Sequence, residues 1–359
     1  MRVLAAGNMY PPHSFGGYEL VWRSAMRHLE ARGHEVLVLT SDLDFGSSEP
    51  DDPNVRRELR LYWRRHYLPE MTAVERLRLE RHNARVFQRH LRELRPDVVS
   101  WWAMGGMSLS LIERARRAGI PAVGFVHDDW LYYGPLMDGW LRPFRRRWRR
   151  LAAVADRITG IPTRVDFERA ARYAFVSEAT RRAAQKAGVD PPHVAIAHSG
   201  IDPAYIDPAP EREWTWSLLY VGRIDERKGV HTAVVALAHL PDAAQPDEVR
   251  AAYADADAVV FPVIWEEPWG LVPLEAMGRG RPVVATGRGG SGEYLRDGEN
   301  ALLFEAGDER ALAQAVKRLA GDPPLRRRLR EAGLETAARH TDVEFNAAVL
   351  RELEAAVQA

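Results

Sequence analysis

Pro262-Val263-Ile264-Trp265-Glu266-Glu267-Pro268-Trp269-Gly270-Leu271-Val272-Pro273-Leu274-Glu275-Ala276-Met277-Gly278 decides how the rest of the chain is read. It follows an apolar run over 258–261 that reads as a buried strand, and it ends in the opening of a helix. Pro273 suits a first helical turn, where a missing N–H leaves nothing unpaired, so the helix is expected to begin near Leu271. A strand, a loop with Pro and Gly, and a helix N-terminus together make an anion site. The first amides of a helix lack internal partners and carry partial positive charge. This reading sets Glu267 before the loop and Glu275 inside the first helical turn. Two carboxylates beside such a backbone suit a ligand that joins phosphate to hydroxyl-rich groups, of which a nucleotide sugar is one.

Outward from this stretch, strand-like and helix-like segments alternate, which predicts parallel α/β layers. In the first half, strands are expected at 2–6, 35–40, 58–63, 97–101, 122–126, 173–176 and 194–197, with helices at 17–32, 72–94 and 109–118. In the second half, strands are expected at 217–221, 258–261, 282–285 and 301–304, with helices at 230–239, 309–319, 325–340 and 342–357. The turn formers from Ser199-Gly200-Ile201-Asp202-Pro203 to Pro210 mark the boundary between two domains, 1–200 and 201–341, followed by a final helix at 342–359. A chain of 359 residues is long enough for two cores. No Gly-x-Gly-x-x-Gly follows the first strand, which argues against a dinucleotide-binding dehydrogenase.

Acidic and basic residues balance at 50 each, so no global field favours nucleic acid. Cysteine is absent, which removes disulfides and thiolate metal sites. The N-terminus runs straight into a strand without a signal-peptide core, and no apolar segment reaches the roughly 18 residues a bilayer span needs. These features predict a soluble, cytoplasmic protein. Only Lys186, Lys228 and Lys317 are lysines, so the position of each carries information.

Gly16-Gly17 lies between a strand and a helix, where glycine lets a ligand approach the backbone; it also reads as a plain turn. Val221-Gly222-Arg223-Ile224-Asp225-Glu226-Arg227-Lys228-Gly229 joins a strand to a helix. Arg223 offers a bidentate fork and Lys228 a point charge, a pairing that attracts diphosphate, against a simple solvated charged loop. His127 ends an apolar strand, and carboxyl ends of strands face the ligand crevice in open α/β sheets; the alternative is a histidine held structurally by Asp128 or a carbonyl. Asp128-Asp129 and Asp255-Ala256-Asp257 read as solvated or capping acids rather than metal ligands. Gly289-Gly290-Ser291-Gly292-Glu293 is another glycine-rich strand exit. Arg142-Pro143-Phe144-Arg145-Arg146-Arg147-Trp148-Arg149-Arg150 is the strong basic cluster. Its interleaved aromatics suit an anionic membrane surface, against the plainer reading of a solvated helix face.

Taken together, these residues resemble the family-4 retaining glycosyltransferases (glycosyl transferases group 1) of the GT-B fold, across nearly the whole chain. The family's Glu-x7-Glu is matched by Glu267 and Glu275, whereas Glu266 misses the spacing by one. Its Arg-x(4–5)-Lys is matched by Arg223 and Lys228, its N-terminal Gly-Gly loop by Gly16 and Gly17, and its strand-end histidine by His127. Its Gly-Gly-x-x-Glu loop is matched by Gly289, Gly290 and Glu293. The resemblance implies two Rossmann-like domains facing across a cleft, with the final helix crossing back to the first. It implies a retaining, metal-independent transfer of a sugar from a UDP- or GDP-sugar to a hydroxyl acceptor, with no cofactor. Arg223 and Lys228 would hold the diphosphate, helped by the amides of Gly270, Leu271 and Val272. Glu267 would contact the sugar hydroxyls, Glu275 the ribose, and His127 the sugar near the reaction centre. Front-face attack, with the leaving phosphate accepting the proton, would need no separate nucleophile–base pair. Peripheral contact with the inner membrane face would run through the basic cluster.

One departure from the family is expected to matter. After the helix at 230–239, members carry a strand, a helix and another strand before a segment like 247–254. Here Leu240-Pro241-Asp242-Ala243-Ala244-Gln245-Pro246 passes directly between two helices, leaving about forty residues fewer. That region completes the second sheet and lines the base pocket in the family, so the second domain reads as shortened. Two rival readings follow. One is a GT-B sugar-nucleotide epimerase, and the other is a catalytically silent GT-B-like binding protein.

Overall fold

The computed structural model describes residues 1–13, 16–63, 68–237, 239 and 249–359. Two compact units emerge, one of Met1–Ala197 with Asn346–Ala359 and the other of His198–Phe345.

The first unit opens with β1 (Arg2–Ala6), α1 (Gly17–Ala31), β2 (Glu35–Ser41), β3 (Val55–Leu59), α2 (Ala73–Leu94), β4 (Val98–Trp101), α3 (Ser110–Arg117) and β5 (Ala122–Val126). Four short helices follow: α4 (Trp130–Met137), α5 (Leu141–Arg145), α6 (Ala152–Thr159) and α7 (Phe167–Ala170). The unit's sheet closes with β6 (Arg172–Phe175), α8 (Glu178–Lys186) and β7 (Val194–Ile196). All seven strands are parallel, in the order β3-β2-β1-β4-β5-β6-β7. The order reverses between β1 and β4, and such a switch point opens a crevice beyond the strand ends. Strands β4 and β5 are wholly buried, as apolar strands covered on both faces must be. Helix α2 starts where the sequence directs it. Thr72 Oγ1 accepts from the Glu75 amide at 3.3 Å, and the Glu75 carboxylate accepts from the Thr72 amide at 2.7 Å.

β3 is displaced from the expected 58–63. Its register pairs Val38 with Val55, and the apolar Leu61, Tyr62 and Trp63 are buried from a loop instead. The 142–150 stretch is not one helix face either. It breaks after α5 at Arg146, which has φ −123° and ψ −90°.

The second unit contains β8 (Leu218–Leu219), α9 (Val230–Leu237), α10 (Val249–Asp255), β9 (Ala258–Phe261), α11 (Leu271–Gly278), β10 (Val283–Ala285) and β11 (Leu302–Leu303). Then come α12 (Glu309–Gly321), α13 (Pro323–Ala338) and α14 (Asp342–Gln358), the last ending in the first unit's cluster. There Asn346 donates to Ser24 Oγ at 2.9 Å and Glu352 lies 3.7 Å from Arg172. The turn-rich stretch after Ala197 is not a loose tether. Ile201 bridges Thr341, its amide donating to the His340 carbonyl at 2.9 Å, and the Asp342 amide donates back at the same distance.

The second sheet runs β11-β10-β9-β8, all parallel and without a reversal. β8 is therefore an edge among the described residues, beside the place where a doubly wound sheet continues. Helix α9 next to it leaves Val234, Val235 and Leu237 exposed. These are the apolar residues a further layer would cover. Of the shortened connection, 240–246 lies outside the described residues. No described helix is long and apolar enough to cross a membrane.

Candidate active site

In the second unit three loops leave the carboxyl ends of parallel strands: 220–229 after β8, 262–270 after β9 and 286–293 after β10. Glycine lets them touch. Gly229, at φ +67°, sits so close that a Cβ would lie 1.8 Å from the Pro262 carbonyl oxygen. Gly289, at φ +66°, would place a Cβ 2.3 Å from the Glu267 carbonyl oxygen. Only glycine combines that left-handed backbone with no side chain. The Gly290 amide completes the junction by donating to the Glu267 carbonyl at 2.6 Å.

This packing sets Glu267 opposite Lys228. The Lys228 ammonium donates to both carboxylate oxygens at 2.9 and 2.6 Å, and the Trp265 indole N–H donates to Oε2 at 2.7 Å. Lys228 Nζ and the Arg227 guanidinium carbon also lie 5.3 and 4.9 Å from the Trp265 ring centre, within cation–π range. Glu266, by contrast, is exposed and pairs with Arg288 at 2.9 Å. The spacing argument therefore selects the acid that is built into the loop junction.

Sequence reasoning gave Lys228 and Glu267 different ligand groups, but the structure binds them to each other. Arg223 is exposed in the same loop as Lys228, its carbonyl accepting from Tyr220 Oη at 2.9 Å. Among the described residues its guanidinium forms no ion pair or hydrogen bond.

Helix α11 begins at Leu271, as expected, with Gly270 at φ +87° before it and no side chain capping it. The amides of Leu271 and Val272 thus head an eight-residue helix without a side-chain partner. Tyr294 Oη donates to the Gly270 carbonyl at 2.5 Å and holds the turn. Glu275 is the fifth residue of α11 rather than a member of its first turn, because the first turn closes at Leu274. Its carboxylate accepts from Tyr253 Oη at 2.7 Å, and burial raises its pKa above the ordinary carboxylate range. Glu293 lies 3.6 Å from His198 Nε2, and the His198 ring stacks on Trp269 at 4.3 Å.

The first unit has its own cluster. His127 follows β5, and burial depresses its pKa to about 3, so the ring is neutral near pH 7. It packs against Tyr18 at 5.0 Å and Trp102 at 5.8 Å between ring centres. Tyr18 is the residue after Gly16-Gly17 at the start of α1, and its hydroxyl accepts from the Ala103 amide at 2.5 Å. The glycine pair and His127 are thereby linked through one tyrosine. Gly16 is the N-cap of α1, its amide donating to the Glu19 carboxylate at 3.2 Å. Asp128 accepts from Tyr133 Oη at 2.5 Å and from the Trp130 amide at 3.1 Å; burial raises its pKa to about 6.

Of the other acid pair, Asp255 is exposed and Asp257 is buried. Asp257 accepts from the Thr215 and Ser217 amides at 2.7 and 2.9 Å. Among the described residues no three His, Asp or Glu side chains gather as a metal site would require. Sequence reasoning missed Tyr18, Trp102, Tyr253 and Trp265. Tyr18, Trp102 and Tyr253 reach their partners from a different loop or helix, so spacing along the chain carries no trace of them, whereas Trp265 acts on Glu267 from two residues away in the same loop.

The sequence model described as Glycosyltransferase Family 4 matches residues 15–205, more than half of the chain. The model described as Glycosyl transferases group 1 matches 243–336. The segment carrying Arg223 and Lys228 falls between the two. The lipopolysaccharide core biosynthesis glycosyltransferase LpsE of Rhizobium meliloti is 33% identical over 149 residues, covering 33% of this chain and 44% of LpsE. The chain thus matches less than half the length of that relative. A glycogen synthase of Mycobacterium tuberculosis is 26% identical over 382 aligned positions, covering 90% of this chain and 87% of the synthase. Among solved structures, sucrose-phosphate synthase from Thermosynechococcus elongatus has a TM-score of 0.72 at 20% identity, covering 99% of both chains. Anabaena HepE, in complex with UDP and glucose, has a TM-score of 0.68 at 18% identity, again covering 99% of both. At these identities the structural likeness establishes the fold alone, which is GT-B with two Rossmann-like units.

Proposed function

Because this chain belongs to glycosyltransferase family 4, we propose that it transfers a sugar from a nucleoside-diphosphate donor to a hydroxyl acceptor, with retention and without a metal. The observation that carries the reading is the Lys228–Glu267–Trp265 junction beside the uncapped N-terminus of α11. A diphosphate on the Leu271 and Val272 amides would meet a helix dipole and a lysine, and would share that lysine with Glu267. Arg223, exposed in the same loop, would close on the diphosphate. The junction would then place Glu267 against sugar hydroxyls, and Glu275, oriented by Tyr253, would take the ribose. As charge develops on the departing nucleoside diphosphate, the fixed cations and amides would stabilise it more than they stabilise the bound donor.

His127, its ring held neutral by burial, would be a poor proton acceptor at neutral pH. As the family resemblance implies, the proton of the acceptor hydroxyl would pass to the departing phosphate oxygen as the new glycosidic bond forms on the same face. Transfer measured in excess EDTA, with the product's anomeric coupling read by proton NMR, tests the proposal. An unchanged rate and the donor's own anomer are expected. Inversion, or loss of activity in EDTA, would overturn it.

A further inference from the structure

Helix α6 (Ala152–Thr159) is turned the wrong way for a helix of a protein core. Ala152 and Asp156 face the body of the first unit. Ala152 is buried and its carbonyl accepts from Thr163 Oγ1 at 2.9 Å, while Asp156 is held by both terminal nitrogens of Arg117 at 2.9 and 2.6 Å. Large apolar residues face away: Leu151, which caps the helix, is 57% exposed, and Val154 and Ile158 within it are 53% and 78% exposed. Spacings of three and four place the three on one helical stripe. Trp148, 38% exposed, lies just before them.

Arginines surround the stripe. Arg142, Arg145, Arg146, Arg147, Arg149, Arg150 and Arg157 are all exposed. Among the described residues none of the seven forms an ion pair. Of the two aromatics that the sequence offered for insertion, Phe144 is instead buried edge-on between Trp140 and Trp148, with ring centres 5.3 and 5.9 Å away, while Trp148 is partly exposed. The insertable surface is thus Trp148 with the α6 stripe, a set the sequence did not single out.

We infer that residues 142–158 form an interfacial element that docks the first unit on an anionic phospholipid surface. Each half of the pattern answers one half of a bilayer. Leu151, Val154 and Ile158 would leave water for the acyl boundary, and the guanidiniums would sit among lipid phosphates. A second copy of this chain fits the patch poorly, because self-association would press two arginine clusters together. The inference is independent of the donor chemistry proposed above.

The test is co-sedimentation of the full chain with vesicles of equal phosphatidylglycerol and phosphatidylcholine, and with phosphatidylcholine alone, at low salt. Binding to the anionic vesicles is expected, weakening about tenfold or more on neutral vesicles or in high salt. The double variant Leu151→Ser with Ile158→Ser should keep its melting temperature yet bind anionic vesicles about tenfold more weakly. Charge reversal at Arg146, Arg147 and Arg150 should abolish binding. No sedimentation of the wild type, or unchanged binding by the double serine variant, would overturn the inference. So would a concentration-dependent dimer that the serine variant loses while vesicles are ignored.

Discussion

Breaking the Lys228–Glu267 pair separates a donor site from a merely structural ion pair. An exposed pair contributes about 0–1 kcal/mol, whereas removing one partner of a fully buried pair costs about 3–5 kcal/mol. Here the side chains are 19% and 10% exposed, which places the pair between those limits. Glu267→Ala also strips the Trp265 N–H of its acceptor, so its cost should be about 2–3 kcal/mol. For a unit of this size that lowers the melting temperature by about 5–10 °C. Lys228→Met leaves Glu267 with the Trp265 N–H, so it should cost less, about 1–2 kcal/mol. The double variant buries no unpaired charge and should cost at least about 1 kcal/mol less than the singles summed. Urea unfolding of the four proteins measures this cycle. If the cation also stabilises the departing diphosphate, Lys228→Met should lower transfer about a hundredfold or more, well beyond its effect on folding. Additive costs would refute the coupling. A folded Lys228→Met protein with wild-type transfer would refute the assigned role.

Two further perturbations follow from the same geometry. Because burial holds His127 near pKa 3 against an ordinary 6.5, the folded protein resists protonation there while the unfolded chain accepts it. The stability this group contributes is complete above pH 6.5 and falls by up to about 1.4 kcal/mol per unit as pH drops towards 3. Urea midpoints between pH 7 and 5 should therefore fall less steeply for His127→Gln than for the wild type, and parallel curves would contradict the assignment. Gly289→Ala must push its Cβ into the Glu267 backbone, and should cost about 2–4 kcal/mol. Gly298→Ala, at φ +71° with nothing within 4 Å, should cost only about 1 kcal/mol. Equal melting shifts for the two glycine variants would show that the loop junction is not tightly packed.

The elements that punctuation marks were legible in the chain. Pro273 and Gly270 put the start of α11 at Leu271, and the seven-residue spacing chose buried Glu267 over exposed Glu266. What the same reading missed has physical causes. The stretch Leu59 to Trp63, apolar but for Arg60, mimics a strand, but parallel register with β2 places β3 earlier. Gly134, Pro135, Gly139 and Pro143 break the helical period over α4 and α5, whereas the spacing of Leu151, Val154 and Ile158 is legible in the chain and marks a helix too short to stand out beside the basic cluster. Helix position, not spacing, decides whether Glu275 lies in the first turn. The bonds that orient the acids, from Tyr253 to Glu275 and from Lys228 to Glu267, span 22 and 39 residues. Local sequence does not encode such distant meetings.

The central claim is that the second unit binds a nucleoside diphosphate at Lys228 and the head of α11. Calorimetric titration of the wild type and of Lys228→Ala with UDP and with GDP, in EDTA, tests it most directly. Saturable binding of at least one nucleotide by the wild type, weakened about tenfold or more in the variant, is the predicted result. No heat with either nucleotide, or equal affinity in both proteins, would contradict it.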